Sequence, residues 1–427
     1  MTKFKKSIFA VLLAIPIITF GQKPKSYIQL ITQIQLTESV NDLGFLDNWV
    51  GNKKVIGLGE VTHGSKEIFE FKTRLVQYLA IKKNAQAIII EANMADCAVI
   101  NDYIISGNGN PSELIKGLKI ATMNYKEYVD LLELLKTLNT KRNKTEKIEF
   151  WGYDVQAPQS AANYALNYLS TMNFSLPDTL KTEIDNFIKT GKSIFSINPS
   201  KVLQYKKPIE RLYQYFQDNK SQIITKSDED KYFFNERLVY SITQSFQLFT
   251  AASQMDAFFM RDKLGFENIK WIIETKKKSP VIYWAHNAHV LKKELFFPTF
   301  ITTGNCLYNE YKQDYLAIGS VFYEGYVKAI RDEKKPTYEA IDLPKADSLS
   351  AETFFSKQKP ENFFLNIPIA EKVKQWSRIL TDTTTIRSIG SAYEPNTKGR
   401  NYRQTIFNQQ FDLIFFIRKS NVPTDNK

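Results

Sequence analysis

The sequence predicts an α/β protein: a mostly parallel central sheet flanked by helices, with a helical cap inserted between its two halves. Three observations carry this. First, short apolar runs (Val55-Ile56-Gly57-Leu58, Ala87-Ile88-Ile89-Ile90, and Ile148 to Tyr153) alternate with segments of helical apolar spacing, as buried parallel strands and crossover helices do. Second, the three runs end on carboxylates, Glu60, Glu91 and Asp154. Third, from about residue 158 to 278 the pattern turns almost wholly helical.

Taken in order, the chain divides into residues 1–21 as a leader, 22–157 as the first part of the α/β core, 158–278 as the cap and 279–427 as the rest of the core. Lys3, Lys5 and Lys6 precede an apolar run from Ile8 to Phe20 that exits at Gly21-Gln22, the pattern of a secretory signal peptide. The run is short for a membrane span, so an exported mature protein, periplasmic or secreted, is expected. Tyr27 to Asp47 is read as a leading helix with a polar break. Val55–Glu60 is the first strand and Ser65–Lys82 the first long helix. Ala87 to Glu91 follows as a strand, Tyr125–Leu138 as an amphipathic helix and Ile148–Asp154 as a third strand. The cap holds periodic segments around Leu166, 184–195, 205–216, 233–249 and 260–275. The sheet resumes at Pro280–Ala285, with further strands at Leu316–Phe322 and Phe411–Ile417.

Bulk properties narrow the function classes. With 43% apolar and 13% aromatic residues, the 427-residue chain has the composition of a globular protein with a large core. The net charge of +12 comes from dispersed lysines, without an arginine cluster or a nucleic-acid-binding motif, and reads as a solvated surface. Cys97 and Cys306 stand far apart and form no metal pair; they read as two buried thiols, with one bridge between them as the alternative in an oxidising compartment.

Histidine usage points to the site. The chain has three, His63, His286 and His289, and each follows an apolar strand-like run. Open α/β sheets place ligands at the carboxyl ends of their strands. Neutral imidazole can accept a proton from water near neutral pH, and a nearby carboxylate can fix its tautomer. Glu60, Glu91 and Asp154 are available for that. Histidine and glutamate together could also bind a divalent metal, but there is no HExxH pattern, so no cofactor is assigned. No Gly-x-Ser-x-Gly elbow is present. Arg74, eleven residues after His63, would pair with the carboxylates if it faced inward.

The stretch Gly57-Leu58-Gly59-Glu60-Val61-Thr62-His63-Gly64, followed by Glu67, Phe71, Lys72 and Arg74, resembles the opening signature of the erythromycin esterase family. The run ending in Glu91, Trp151-Gly152-Tyr153-Asp154-Val155-Gln156, Arg261-Asp262, Trp284-Ala285-His286-Asn287-Ala288-His289, Arg387-Ser388-Ile389-Gly390 and Phe411-Asp412-Leu413-Ile414 are similar to its later blocks in the same order. The resemblance spans about Leu43 to Ile417. It implies hydrolysis of an ester, in the best-known members a macrolide lactone, with the essential histidine on His63. The acidic and arginine positions fall on Glu60, Glu91 and Arg74, and the later histidines on His286 and His289. The leader departs from the family's intracellular resistance enzymes, and Met123 stands where the family tends to place tryptophan.

The resulting expectation is an exported hydrolase that opens a small-molecule ester or macrolide-type lactone with water activated by histidine. His63 is assigned as base, Glu60 or Glu91 as its orienting carboxylate and Arg74 as the clamp on that network. His286 or His289 is the polarising or acidic group, while Asp154, Trp284 and Asn287 are placed as substrate contacts. The rival readings are a metal-dependent hydrolase using the same cluster and a haem- or small-ligand-binding protein without turnover.

Overall fold

A computed structural model of the chain describes residues 26–191, 199–297, 300–332, 335–395 and 401–427. The expected leader lies outside the described residues. Among them, no helix is long and apolar enough to cross a membrane.

Eleven strands are described: β1 (Ile28–Leu30), β2 (Val55–Glu60), β3 (Ala87–Asn93), β4 (Glu149–Asp154), β5 (Val281–His286), β6 (Tyr315–Asp332), β7 (Lys335–Leu343), β8 (Phe363–Asn366), β9 (Thr384–Arg387), β10 (Tyr402–Thr405) and β11 (Leu413–Ser420). Nine form one sheet in the order β1-β8-β11-β6-β2-β5-β3-β4, with β7 paired to the far half of β6. The run from β11 through β4 is parallel throughout, while β1, β7 and β8 pair antiparallel. The α/β class with a mostly parallel sheet is therefore as the sequence predicts.

Side-chain alternation explains why the strands are apolar on both faces. Val281, Tyr283 and Ala285 of β5 pack into a core shared with the helices Pro158–Thr171, Glu229–Phe249 and Gln254–Lys276. Ile282 and Trp284 point the other way, into a core with the helices Lys66–Lys82, Met94–Ser106 and Lys126–Thr140. A strand covered on both sides has no solvated face, so it reads as a continuous apolar run. The helices between Pro158 and Lys276 all fall between β4 and β5 in the chain.

One predicted element is absent. Residues 27–47 are not a helix but the edge strand β1, an extended segment, a 3-10 turn at Asn41–Leu43 and the start of the short helix Leu46–Val50. The reason is where the carbonyls go. Arg74 donates to the backbone oxygens of Gln35 and Ser39, and Gln77 to that of Thr37. A helix would have used those oxygens for its own ladder. Of the two cysteines, both free thiols, Cys97 is buried and Cys306 only partly so.

The order β2-β5-β3-β4 sets four strand ends side by side. Glu60 faces His286 in register, and Asn93 faces Asp154 after a register shift between Ile90 and Asn93. Glu91 lies inside that irregularity, the kind of local kink that re-aims a side chain next to a functional site. Gly152 makes it possible, because a Cβ there would stand 2.3 Å from the Ala92 carbonyl oxygen.

Candidate active site

At the carboxyl ends of these strands lies a cleft of about 860 Å³ whose walls include Glu60, His63, Glu91, Asp154, His286 and His289. The loop carrying His63 is pinned from several directions. Val61 N–H donates to Ser320 Oγ at 3.0 Å, Ile389 N–H to the Val61 carbonyl at 3.0 Å, and Lys328 N–H to the Gly64 carbonyl at 2.9 Å. Ser65 then caps the helix Lys66–Lys82 by accepting from Ile68 N–H. An N-cap serine of this kind fixes where the helix begins, and so how far His63 stands from the strand end.

Glu60 is the hub of the first cluster. One carboxylate oxygen is 2.7 Å from His63 Nδ1; the other accepts from Lys72 Nζ at 2.6 Å and from Trp284 Nε1 at 2.8 Å. Burial would raise the Glu60 pKa, but Lys72 and the His63 contact outweigh it and hold the carboxyl below its usual range. Burial lowers Lys72 to about 8 against the opposing pull of Glu60. With an ionised carboxylate on Nδ1, His63 carries its proton there and presents Nε2 as the free lone pair. Of the three histidines, His63 is the one with appreciable exposure, 22% of its side chain.

The second cluster is built on Arg261. Its guanidinium grips both oxygens of Asp154, at 3.0 and 2.8 Å, and donates to Glu91 at 2.7 Å. Fork-to-carboxylate pairing of this kind is rigid as well as strong. Burial pushes the Glu91 pKa up, but His289, Arg261 and His63 together bring it far below the carboxylate range. His289 sits between two acids, with Nδ1 2.6 Å from Asp262 and Nε2 3.5 Å from Glu91. Burial disfavours its charged form, yet Asp262 and Glu91 prevail and raise its pKa. The two acids thus favour its protonated form, which makes it the candidate proton donor at the cleft wall.

His286 is different. Its Nδ1 accepts from Ala288 N–H and its Nε2 donates to the Val61 carbonyl, both at 3.2 Å, so both ring nitrogens are spent on backbone. Burial and the neighbouring His63 and His289 drive its pKa down to about 3. Its ring is 5.3 Å from that of His63, but it is fixed as neutral imidazole. This corrects its expected place beside His289 as acid or polarising group. The depressed folded pKa has a consequence for stability. Between the unfolded value near 6.5 and about 3, the unfolded chain takes up a proton that the folded one refuses. Stability tied to His286 is present above that window and is lost as the pH falls through it. His286→Asn keeps a capping acceptor and cannot charge. Urea unfolding from pH 7 to 4 should show a shallower loss of stability in that variant than in the native chain, and parallel curves would contradict this.

Two further assignments are corrected. Arg74 does not touch the carboxylate network: it is buried and pairs with Asp42 and the nearby carbonyls, tying the helix to the 27–47 segment. Asn287 does not face the cleft but closes a gap in the sheet, donating to the Ser320 carbonyl at 2.7 Å and accepting from Ser320 N–H at 3.1 Å. Gly59 makes room for it, since a Cβ there would meet Asn287 Oδ1 at 2.3 Å. Trp284 and Asp154 line the cleft, but their polar groups serve Glu60 and Arg261.

The site also contains residues that the sequence reading did not nominate: Lys72, Arg261 and Asp262. The signal was a charge inside an apolar stripe. Lys72 lies four residues after Ile68 and three before Leu75, on a helix buried nearly all round. Arg261 lies four after Ala257 and three before Leu264, both buried. Charges placed there must find partners, because an unpaired buried ion is costly. Among the described residues, no three His, Cys, Asp or Glu side chains are grouped as metal ligands; the carboxylates converge on Lys72 and Arg261 instead.

Comparison with known proteins agrees with this architecture. The family model described as erythromycin esterase matches residues 82–420. The "Putative hydrolase YbfO" of Bacillus subtilis (strain 168) is 22% identical over 273 residues, which is 60% of this chain and 60% of that protein. The erythromycin esterase type II of Escherichia coli is 23% identical over 363 residues, covering 78% of this chain and 85% of that one. Among solved structures, a Bacillus cereus protein superposes with a TM-score of 0.82 at 24% identity, over 94% of this chain and 97% of that one. A point mutant of the erythromycin esterase EreC, in its open conformation, superposes with a TM-score of 0.65 at 14% identity, over 91% and 96% of the two chains. With the family model covering most of its length, the chain belongs to the erythromycin esterase family.

Proposed function

We propose that this protein is a hydrolase that opens a carboxylic ester or lactone by direct attack of water, with no covalent enzyme intermediate. The observation that carries the reading is the 2.7 Å contact between Glu60 and His63 Nδ1, which leaves the most exposed imidazole with its basic nitrogen free at the cleft. His63 Nε2 takes a proton from water as the oxygen attacks the carbonyl carbon. Glu60 steadies the imidazolium that forms, and Lys72 and Trp284 hold Glu60. When the tetrahedral intermediate collapses, the C–O bond to the leaving alkoxide breaks and His289 supplies the proton it needs. Asp262 and Glu91 favour the charged form of His289 against the opposing charge of Arg261, which itself fixes Glu91 in place. Each proton transfer of this type contributes roughly 10²–10⁴-fold.

The substrate is a small molecule bearing an ester or lactone. A macrolide is the named substrate type of the erythromycin esterase relatives and is a candidate for this chain. The mechanism calls on no cofactor, and no nucleic-acid partner is invoked. The lysine-flanked apolar run at residues 3–20 supports export, which would place the enzyme in the periplasm or outside the cell. A mass-spectrometric screen of macrolides and simpler lactones with purified protein should find at least one gaining the mass of one water. Absence of hydrolysis across macrocyclic, medium-ring and acyclic esters would remove the reading.

A further inference from the structure

The segments around Phe258 and Phe300 carry exposed apolar side chains that the reaction does not use. Met255 and Phe297 are 60% and 59% exposed, and Ile301 is 49% exposed. Single exposed apolar residues are ordinary, but a contiguous group rimming a pocket marks a binding surface. The segments that carry them also carry a set of aromatic contacts. Phe259, one turn after Met255 on the same helix, stacks on Phe300 at 4.6 Å. Phe300 lies 5.7 Å from Phe258 and donates its N–H to the Phe297 carbonyl at 2.8 Å. Phe258 in turn lines the cleft, with its ring 5.7 Å from that of His289. An apolar path of ring contacts therefore runs from Phe259 and Phe300 through Phe258 to His289, with Met255, Phe297 and Ile301 exposed next to it in the chain.

We infer that this path, formed by Met255, Phe258, Phe259, Phe297, Phe300 and Ile301, seats an extended alkyl portion of the substrate. The preferred substrates would then be esters or lactones with a long apolar chain on the leaving-group side. The inference rests on the hydrolase reading for the orientation of that chain, since His289 is the group assigned to protonate the leaving oxygen. Continuity points to the occupant: the ring contacts of Phe259 and Phe300 reach the cleft at Phe258, and an alkyl chain is the ligand that gains from such contacts along its whole length.

Two measurements separate this inference from the reading beneath it. Binding of methyl alkyl ketones, which cannot be hydrolysed, is measured by calorimetry across a series from four to twelve carbons. Affinity should rise about three- to fourfold per methylene over part of the series, as buried CH₂ groups do. The double variant Met255→Ser/Phe297→Ser, changed at exposed positions, should flatten the rise, as should Phe300→Ala. An affinity independent of chain length, or a rise that both variants leave intact, would overturn the proposal whether or not any ester is cleaved. Hydrolysis of the matching alkyl acetates then reads the reaction itself: a chain-length effect on KM is expected. Ketone binding without acetate cleavage would count against the hydrolase reading and leave the apolar seat standing. If the rim instead served a lipid surface or a second copy of the chain, the ketone series would be flat. The variants would then change vesicle co-sedimentation or mass in solution, and the inference would fall.

Discussion

Replacing His63 with Gln should lower kcat by about 10²–10⁴-fold, with the unfolding midpoint nearly unchanged. Both halves of this expectation follow from the geometry. Among the described residues Nδ1 is committed to Glu60 and Nε2 has no partner, so removing the basicity of Nε2 removes the proton acceptor for water. The side chain is 22% exposed, and its polar contact among the described residues, to Glu60, is at the cleft wall, so the core around it does not depend on the ring. Steady-state kinetics on whichever ester the screen identifies, with urea unfolding beside it, checks the two together. Turnover within a few-fold of the native enzyme would exclude His63 as the base. A large loss of stability would mean that the ring is structural.

A combined loss is expected for Lys72→Met. Lys72 is fully buried and its ammonium group is 2.6 Å from Glu60, which is itself almost wholly enclosed. Taking away one member of a buried ion pair leaves the other as an uncompensated charge, at a cost of roughly 3–5 kcal/mol. Trp284 Nε1–H and His63 remain on Glu60 and offset part of that. The carboxyl would escape the rest by taking up a proton, and a neutral Glu60 can no longer support an imidazolium. The variant should therefore lose stability and activity together, with the stability loss smaller at pH 5 than at pH 8. Arg74→Met is the informative companion, because Arg74 pairs with Asp42 away from the cleft. It should destabilise without a specific effect on kcat in the fraction that remains folded.

How legible this was in the sequence depended on the range of the interaction. The sheet was legible because strands covered on both faces leave unbroken apolar runs, and the strand-end carboxylates because a charge closing such a run is conspicuous. The segment 27–47 was not, since its conformation is set by Arg74 and Gln77 donating to its carbonyls from a helix far along the chain. Position after strands groups the histidines in the sequence, and in the structure the rings of His63 and His286 are 5.3 Å apart while His289 reaches Glu91. Which of them could move a proton was not legible. That depends on whether each ring nitrogen meets backbone, as in His286, or carboxylate, as in His63 and His289. The arginine of the site was misplaced for a similar reason. Arg74 follows the signature histidine closely, but Arg261, from a helix more than a hundred residues past β4, is the one that reaches Glu91 and Asp154.

The claim beneath the whole account is that water, and not a side chain, attacks the carbonyl. A single turnover in ¹⁸O-labelled water, with enzyme in excess over ester, tests it most directly. The first carboxylate released should carry one ¹⁸O, with no protein species of higher mass at any time. Unlabelled oxygen in that first product, or an acylated enzyme, would show that Glu60, Glu91 or another side chain is the nucleophile and would contradict the assignment of His63.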